Sequence, residues 1–479
     1  MIAEKLYQTF LTYSKYELTQ EQKEVLEELA KFALSHQEGI FVLKGYAGTG
    51  KTTIIQILSS ALQEFKMPHF LLAPTGRAAK VVSETANKPA YTIHKHIYRK
   101  NTSKGFEGKF VLDFNRNSNA IYIVDEASMI HTLSEKESTL FGSGSLLDDL
   151  LSYIFNGKNN KLILVGDTAQ LPPVKETNSL ALSENFLEQF GYKITSYELT
   201  TVMRQAEKSG IIRNATAIRQ LISSGQTITS NIPQLTMAED VIMPDNSEIW
   251  DYISSAFSDD NKDNSIIITV SNKTANIYNQ TIRRQVFDYD EEITEGDILM
   301  VVRNNYMWAP ENAPFSFIAN GDFIKINRIY DFEEKYGFRF AEVNVSLQYA
   351  PDYPFDTKLL LDTIYSQEAS LSFATRKKMY ETISQTFKTK NKRQIYKKIM
   401  ESPYFNALEV KFAYAITCHK AQGGQWNTVF IDQGHFNFVD LDSSYLRWLY
   451  TAFTRAKKQL FLINFNKKFF GNNNETYLY

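Results

Sequence analysis

Residues 40–53, IFVLKGYAGTGKTT, decide the fold. Four apolar residues run into a glycine-rich turn, and the chain continues as IIQILSSALQEF, whose apolar positions recur at helical spacing. A strand that ends in G-x-x-x-x-G-K-[ST] and opens a helix is the pattern of a phosphate cradle. Gly45, Ala47, Gly48, Thr49 and Gly50 form its turn, where glycines let backbone N–H groups face an anion. Lys51 is expected to reach the β and γ oxygens of ATP, Thr52 to ligate Mg²⁺, and Thr53 to open the helix.

Outward from this stretch, similar apolar runs occur at FLLAPT (70–75), AIYIVDE (120–126) and KLILVGD (161–167), with helical patterns between them. Strands of this kind alternating with helices predict an α/β fold: a parallel sheet buried on both faces, with ligand-binding loops at the strand C-termini. That describes residues 1–190. SIIITVS (265–271), NTVFID (427–432) and QLFLINF (459–465) predict a second α/β domain made from residues 191–290 and 410–479. Between them, 291–409 carries EGDILMVV, DFIKINRIY and RFAEVNVSLQY ahead of a lysine-rich helical stretch, and reads as a small inserted β-rich domain.

Hydrolysis of a bound triphosphate needs carboxylates on a neighbouring strand, and IYIVDEAS supplies Asp125 and Glu126. Asp125 is expected to hold the Mg²⁺ shell and Glu126 to orient and deprotonate the attacking water.

Composition removes several alternatives. The net charge is −2, with 52 basic and 54 acidic side chains, so any track for nucleic acid must be local. The single cysteine, Cys418, excludes a disulfide framework within the chain and reads as a small packed residue; a reducing, cytoplasmic setting is expected. No apolar run of about 18 residues suggests a membrane span, and the first residues lack the pattern of a signal peptide. His94 and His96 form an H-x-H pair without further ligands, which argues against zinc. The segment 376–398 carries nine basic residues against one acid and is the strongest local basic patch, on a helix whose other face is apolar.

Taken in order, LTQEQ (18–22), GYAGTGKTT (45–53), APTGRAA (73–79), TIH (92–94), VDEASM (124–129), VGDTAQLPPV (165–174), VMRQ (202–205), TCHKAQGGQW (417–426) and YTAFTRAKKQL (450–460) resemble superfamily 1B helicases of the RecD and Dda type. The resemblance implies two RecA-like domains and an ATP-driven motor. That motor would move along single-stranded DNA 5′→3′, unwind duplex at junctions and act as a monomer. It further implies that Gln22 contacts adenine, that Gln170 senses the γ-phosphate, and that Arg204 and Arg455 reach that phosphate across a cleft between the domains. Thr75, Arg77, Thr92 and His94 are expected on DNA from the first domain, and Thr417, His419 and Lys420 from the second. Residues 98–119 read as a hairpin turning at Gly105–Gly108; in this family it would split the duplex, with Phe106 or Phe110 stacked on the last base pair. The phosphate cradle alone would equally suit a non-motor nucleotide switch or kinase, and RNA stays open as a substrate.

Overall fold

The computed structural model describes residues 2–100, 110–132, 142–203, 208–224, 232–258, 262–313, 315, 317–387, 391–435 and 441–470. The first part contains strands β1 (Gly39–Gly45), β2 (His69–Ala73), β3 (Ala90–Thr92), β4 (Tyr98–Lys100), β5 (Phe110–Leu112), β6 (Ile121–Val124), β7 (Lys161–Gly166) and β8 (Lys193–Leu199). A sheet in the order β3-β2-β6-β7-β1-β8 has every neighbour parallel. Alternate residues of β1 feed opposite cores: Phe41 and Leu43 pack with Leu58 and Val25, whereas Ile40 and Val42 pack with Leu72, Val124 and Leu150. Burial on both faces is why these strands read as unbroken apolar runs. β4 and β5 pair antiparallel as the base of the expected hairpin. Its turn, and Phe106 with it, lie outside the described residues.

The second part holds β9 (Val241–Ile242), β10 (Ser265–Thr269), β11 (Ile298–Val301), β12 (Phe323–Lys335), β13 (Phe338–Leu347), β14 (Ala350–Leu360), β15 (Leu408–Phe412), β16 (Ala415–Thr417), β17 (Trp426–Asp432) and β18 (Ala456–Ile463). A second parallel sheet runs β16-β10-β17-β18-β9. Strands β11 to β15 close into a barrel. Closure depends on β15, which pairs with β11 at Leu299↔Phe412 and with β14 at Leu359↔Leu408. A closed sheet leaves no edge open to another chain.

Between β14 and β15 the helices Phe373–Gln385 and Lys392–Met400 lie on the barrel, burying Met379, Ile383 and Ile399 against Phe338, Phe340 and Leu360. These helices carry the basic segment. Arg376 pairs with Glu409, while Lys377–Glu381 and Lys397–Glu401 are loose surface pairs at 3.9 Å, worth little to stability.

Among the described residues no helix is long and apolar enough to cross a membrane. Of the H-x-H pair, His96 sits among Phe70, Tyr122 and Tyr153 at 4.9–5.7 Å, and burial pushes its ring down to about 4. The Cys418 thiol is fully buried, which pushes it up to about 12.

Candidate functional site at the cleft between the sheets

The cradle follows directly from the fold. β1 stops at Gly45, the helix Lys51–Glu64 begins, and the turn between them bends through Gly48 (φ 78°) and Gly50 (φ 90°), a region that side chains with a Cβ rarely adopt. Lys51 Nζ donates to Gly45 O (2.7 Å) and Tyr46 O (2.9 Å), so its ammonium curls over the turn.

Gln22, expected on adenine, lies against the cradle. It is 1% exposed; its Oε1 accepts from Thr19 N (3.0 Å) and its Nε2 donates to Thr49 O (2.9 Å). Both ends of the amide are therefore engaged by the chain, closing a capping box at one end and bracing the cradle at the other. A Cβ on Gly50 would stand 2.3 Å from that Nε2, which explains the glycine there. Gln22→Ala is expected to raise KM for ATP and GTP together by several-fold, with a loss of about 1–2 kcal/mol of stability. A selective loss of ATP preference in the ratio of the two kcat/KM values would instead mean that the amide reads the base.

The carboxylates arrive on the strands beside β1. Asp125 and Glu126 follow β6, and Asp167 follows β7, so the order β6-β7-β1 sets all three at the same edge as the cradle. Asp125 Oδ1 accepts from Glu126 N (2.9 Å); burial and the neighbouring Glu126 push its carboxyl up to about 7, against the pull of Lys51. Glu126 holds a left-handed backbone (φ 51°, ψ 37°), a strained conformation for a residue of its type. Asp167 is fully buried, and its Oδ2 lies 4.0 Å from Lys51 Nζ. The sequence reading passed over it, although a carboxylate at the end of a buried strand was the signal that identified Asp125.

The second sheet closes the cleft through the helix Ser443–Phe453. Arg447, Tyr450 and Thr451, spaced as one helical face, all address the loop after β7. Arg447 donates to Thr168 O and, at 3.4 Å, to Gln170 O. Tyr450 Oη donates to Asp167 Oδ2 (2.6 Å) and accepts from Ala47 N of the cradle (2.9 Å). Thr451 Oγ1 accepts from Leu171 N (2.8 Å), while Gln422 Nε2 donates to Leu171 O (2.7 Å). In the same loop Gln170 is 6% exposed, and its buried Oε1 has no partner.

The two expected arginines fare differently. Arg455 is 3% exposed, and its guanidinium is spent within its own half, on Thr451 O, Gly424 O and Thr454 Oγ1. It is not placed on the cradle. Arg204 lies outside the described residues, though the preceding Met203 N donates to Gly48 O (3.0 Å). Besides Arg447, the second half brings Arg219 to the cradle, stacked 4.2 Å over the Tyr46 ring in a cleft of about 370 Å³. Neither residue was singled out from sequence, because an arginine within a helix reads as a surface charge.

The residues expected on DNA fall mostly along the seam between the halves. Thr75 follows β2 and Thr92 ends β3, and each caps the next helix, Thr75 through Ala78 N and Thr92 through Lys95 N, both at 3.2 Å. The Gly423 backbone packs on Thr75, and Arg77 stacks on Trp426 (3.9 Å) and Phe323 (4.7 Å). Burial and nearby Arg455 push Arg77 down to about 9, and its Nη1 has no partner. Arg77 is thus half-buried against aromatic rings of the second half. His94 is pushed down to about 4 by desolvation and is uncharged at neutral pH. Thr417 precedes the short helix Cys418–Ala421; His419 is exposed, and Lys420 Nζ reaches Asn320 Oδ1 (2.8 Å). Phe110 belongs to the hairpin base, where it is half-buried and packs 4.5 Å from the Tyr306 ring.

Residues 17–230 match the family model described as an AAA domain, and residues 412–463 match that of the UvrD-like helicase C-terminal domain. An uncharacterized protein of Acanthamoeba polyphaga mimivirus is 26% identical over 505 residues, spanning 90% of this chain and 97% of its own. The ATP-dependent DNA helicase dda of Enterobacteria phage T4 is 25% identical over 467 residues, spanning 93% and 99%. The ATP-dependent RecD2 DNA helicase of Deinococcus radiodurans is 31% identical over 199 residues, which are 41% of this chain and 23% of that longer protein.

Proposed function

We propose that the chain is a superfamily 1B helicase of the RecD and Dda type and that it couples ATP hydrolysis to 5′→3′ translocation along single-stranded DNA, separating duplex at a junction. One observation carries this reading. The phosphate cradle of one parallel-sheet unit is hydrogen-bonded to a helix of the other, at Ala47 N and Asp167, so events at the nucleotide are felt by both halves.

The residues suit ATP with Mg²⁺. A Cβ on Gly45 or Gly50 of the cradle would collide, Thr52 and Asp125 are hard oxygen donors, and Gln170 keeps a buried, unpartnered oxygen beside the cleft. Mg²⁺, when bound, neutralises charge on the β and γ phosphates. Glu126 accepts the proton of the attacking water, Gln170 Oε1 accepts a hydrogen bond that orients it, and Lys51 exchanges its carbonyl partners for phosphate oxygens. The seam formed by 73–79 and 417–424 would change width as the cleft opens and closes, and a strand lying along it would be passed from one half to the other. A monomer suffices for this cycle.

Steady-state ATP hydrolysis with and without a single-stranded oligonucleotide tests the reading. Strong stimulation, followed by displacement from 5′-tailed but not 3′-tailed duplex, is the expected result. Hydrolysis indifferent to DNA and RNA would favour a non-motor nucleotide switch.

A further inference from the structure

We propose that Tyr450 is a positioning residue through which closure of the cleft sets the charge environment of Lys51. The inference rests on the reading of the site as an ATPase whose two halves open and close.

Tyr450 comes from the second half of the chain, and both of its polar partners come from the first. Its ring is 1% exposed, so water does not compete for the hydroxyl. A single oxygen donates to Asp167 Oδ2 and accepts from Ala47 N, a double duty that a hydroxyl can perform and a phenyl ring cannot. Asp167 is held from the other side by Ala169 N, which donates to Oδ1 at 2.9 Å.

This arrangement fixes the distance that matters. A buried carboxylate next to an ammonium normally closes to about 2.8 Å. Asp167 Oδ2 instead stands 4.0 Å from Lys51 Nζ, satisfied by the Tyr450 hydroxyl, while the ammonium rests on two neutral carbonyls that phosphate oxygens can displace. Withdrawing the helix Ser443–Phe453 removes the hydroxyl from Asp167 and from Ala47 N together. The unsatisfied carboxylate then turns to Lys51 and competes with phosphate for the ammonium. An open cleft therefore weakens the grip of the cradle, and a closed one restores it.

Two variants test this, with hydrolysis measured with and without DNA and folding monitored by thermal unfolding. Tyr450→Phe, which keeps the ring, is expected to lower kcat/KM for ATP by tenfold to about a hundredfold, the usual cost of a lost hydrogen bond to a charged group. Asp167→Asn added to it should restore part of that loss, because an amide has no charge with which to trap Lys51. Asp167→Asn alone should raise hydrolysis without DNA relative to hydrolysis with it, since the brake on the open cleft is gone. A double variant worse than Tyr450→Phe, or an Asp167→Asn protein with an unaltered ratio, would overturn the proposal. So would a Tyr450→Phe loss matched by an equal loss of folded protein. Wild-type hydrolysis that ignores DNA would sink the motor reading instead, and the rescue of Tyr450→Phe in DNA-free assays would still decide this one.

Discussion

Glu126→Gln protein is expected to bind ATP with nearly unchanged affinity and to hydrolyse it about a thousandfold more slowly, the usual scale for loss of a general base. The amide keeps the size and hydrogen-bonding reach of the side chain but cannot take a proton from water. Binding is spared because it draws on other groups: the N–H groups of the turn, Lys51, and the braces at Gln22 and Met203. The backbone at Glu126 adds a second, independent expectation. Its left-handed φ of 51° is costly for glutamate, by about 1 kcal/mol, whereas asparagine visits this region readily. Glu126→Asn should therefore lose hydrolysis as fully as Glu126→Gln while unfolding at a slightly higher temperature. Opposite signs for activity and stability would mark strain kept for function. Single-turnover hydrolysis and a thermal melt on the same preparations measure both. Hydrolysis within tenfold of wild type in Glu126→Gln would assign the base elsewhere.

The sequence revealed most about strands buried on both faces, because β1, β6 and β7 announce themselves as short apolar runs ending in chemistry-bearing residues. It revealed less where pairing is remote. The β-rich character of the insert was readable from β12 and β13, but closure of the barrel turns on β15 returning to pair with β11 more than a hundred residues earlier, and no local pattern encodes that. The same contrast holds at the site. Lys51 and Glu126 are legible because a cradle and a strand-end carboxylate carry their own spacing. Tyr450 is not, since inside an amphipathic helix it resembles any packed aromatic, and only the fold shows its hydroxyl against Asp167 and Ala47. For a related reason resemblance leaves open what Gln22 and Arg455 touch. It transfers a role to a position, whereas the partners that engage a side chain, Thr49 O for one and Gly424 O for the other, are set by packing.

The largest stability effect is expected at the junction of the barrel and the second sheet, where Asp297→Ala should cost about 3–5 kcal/mol, the scale of a buried ion pair broken on one side. Asp297 is fully buried just ahead of β11; its Oδ1 accepts from Arg283 Nε (3.0 Å) and Tyr414 Oη (2.9 Å), and its Oδ2 from Thr294 N (2.7 Å). Arg283 extends from the helix Asn272–Gln285 across the Phe412 ring at 4.4 Å and also donates to Glu291 O. The cluster thus ties a helix of the second sheet to both points where the chain crosses into and out of the barrel. Alanine at 297 strands a guanidinium with only Glu291 O and the Thr294 hydroxyl as acceptors, and leaves the Tyr414 hydroxyl and Thr294 N–H without their acceptor. Replacing both charges, as in Arg283→Met with Asp297→Leu, should cost less than Asp297→Ala alone, because no buried charge is left unpaired. Urea unfolding of the three proteins, followed by tryptophan fluorescence and circular dichroism because several domains need not unfold together, orders them. An Asp297→Ala cost below about 1 kcal/mol would show that the carboxylate is dispensable. If the doubly apolar protein is stable yet displaces strands poorly while still hydrolysing ATP, the charges serve to fix the angle between barrel and sheet. Stability and coupling would then rest on different properties of the same four side chains.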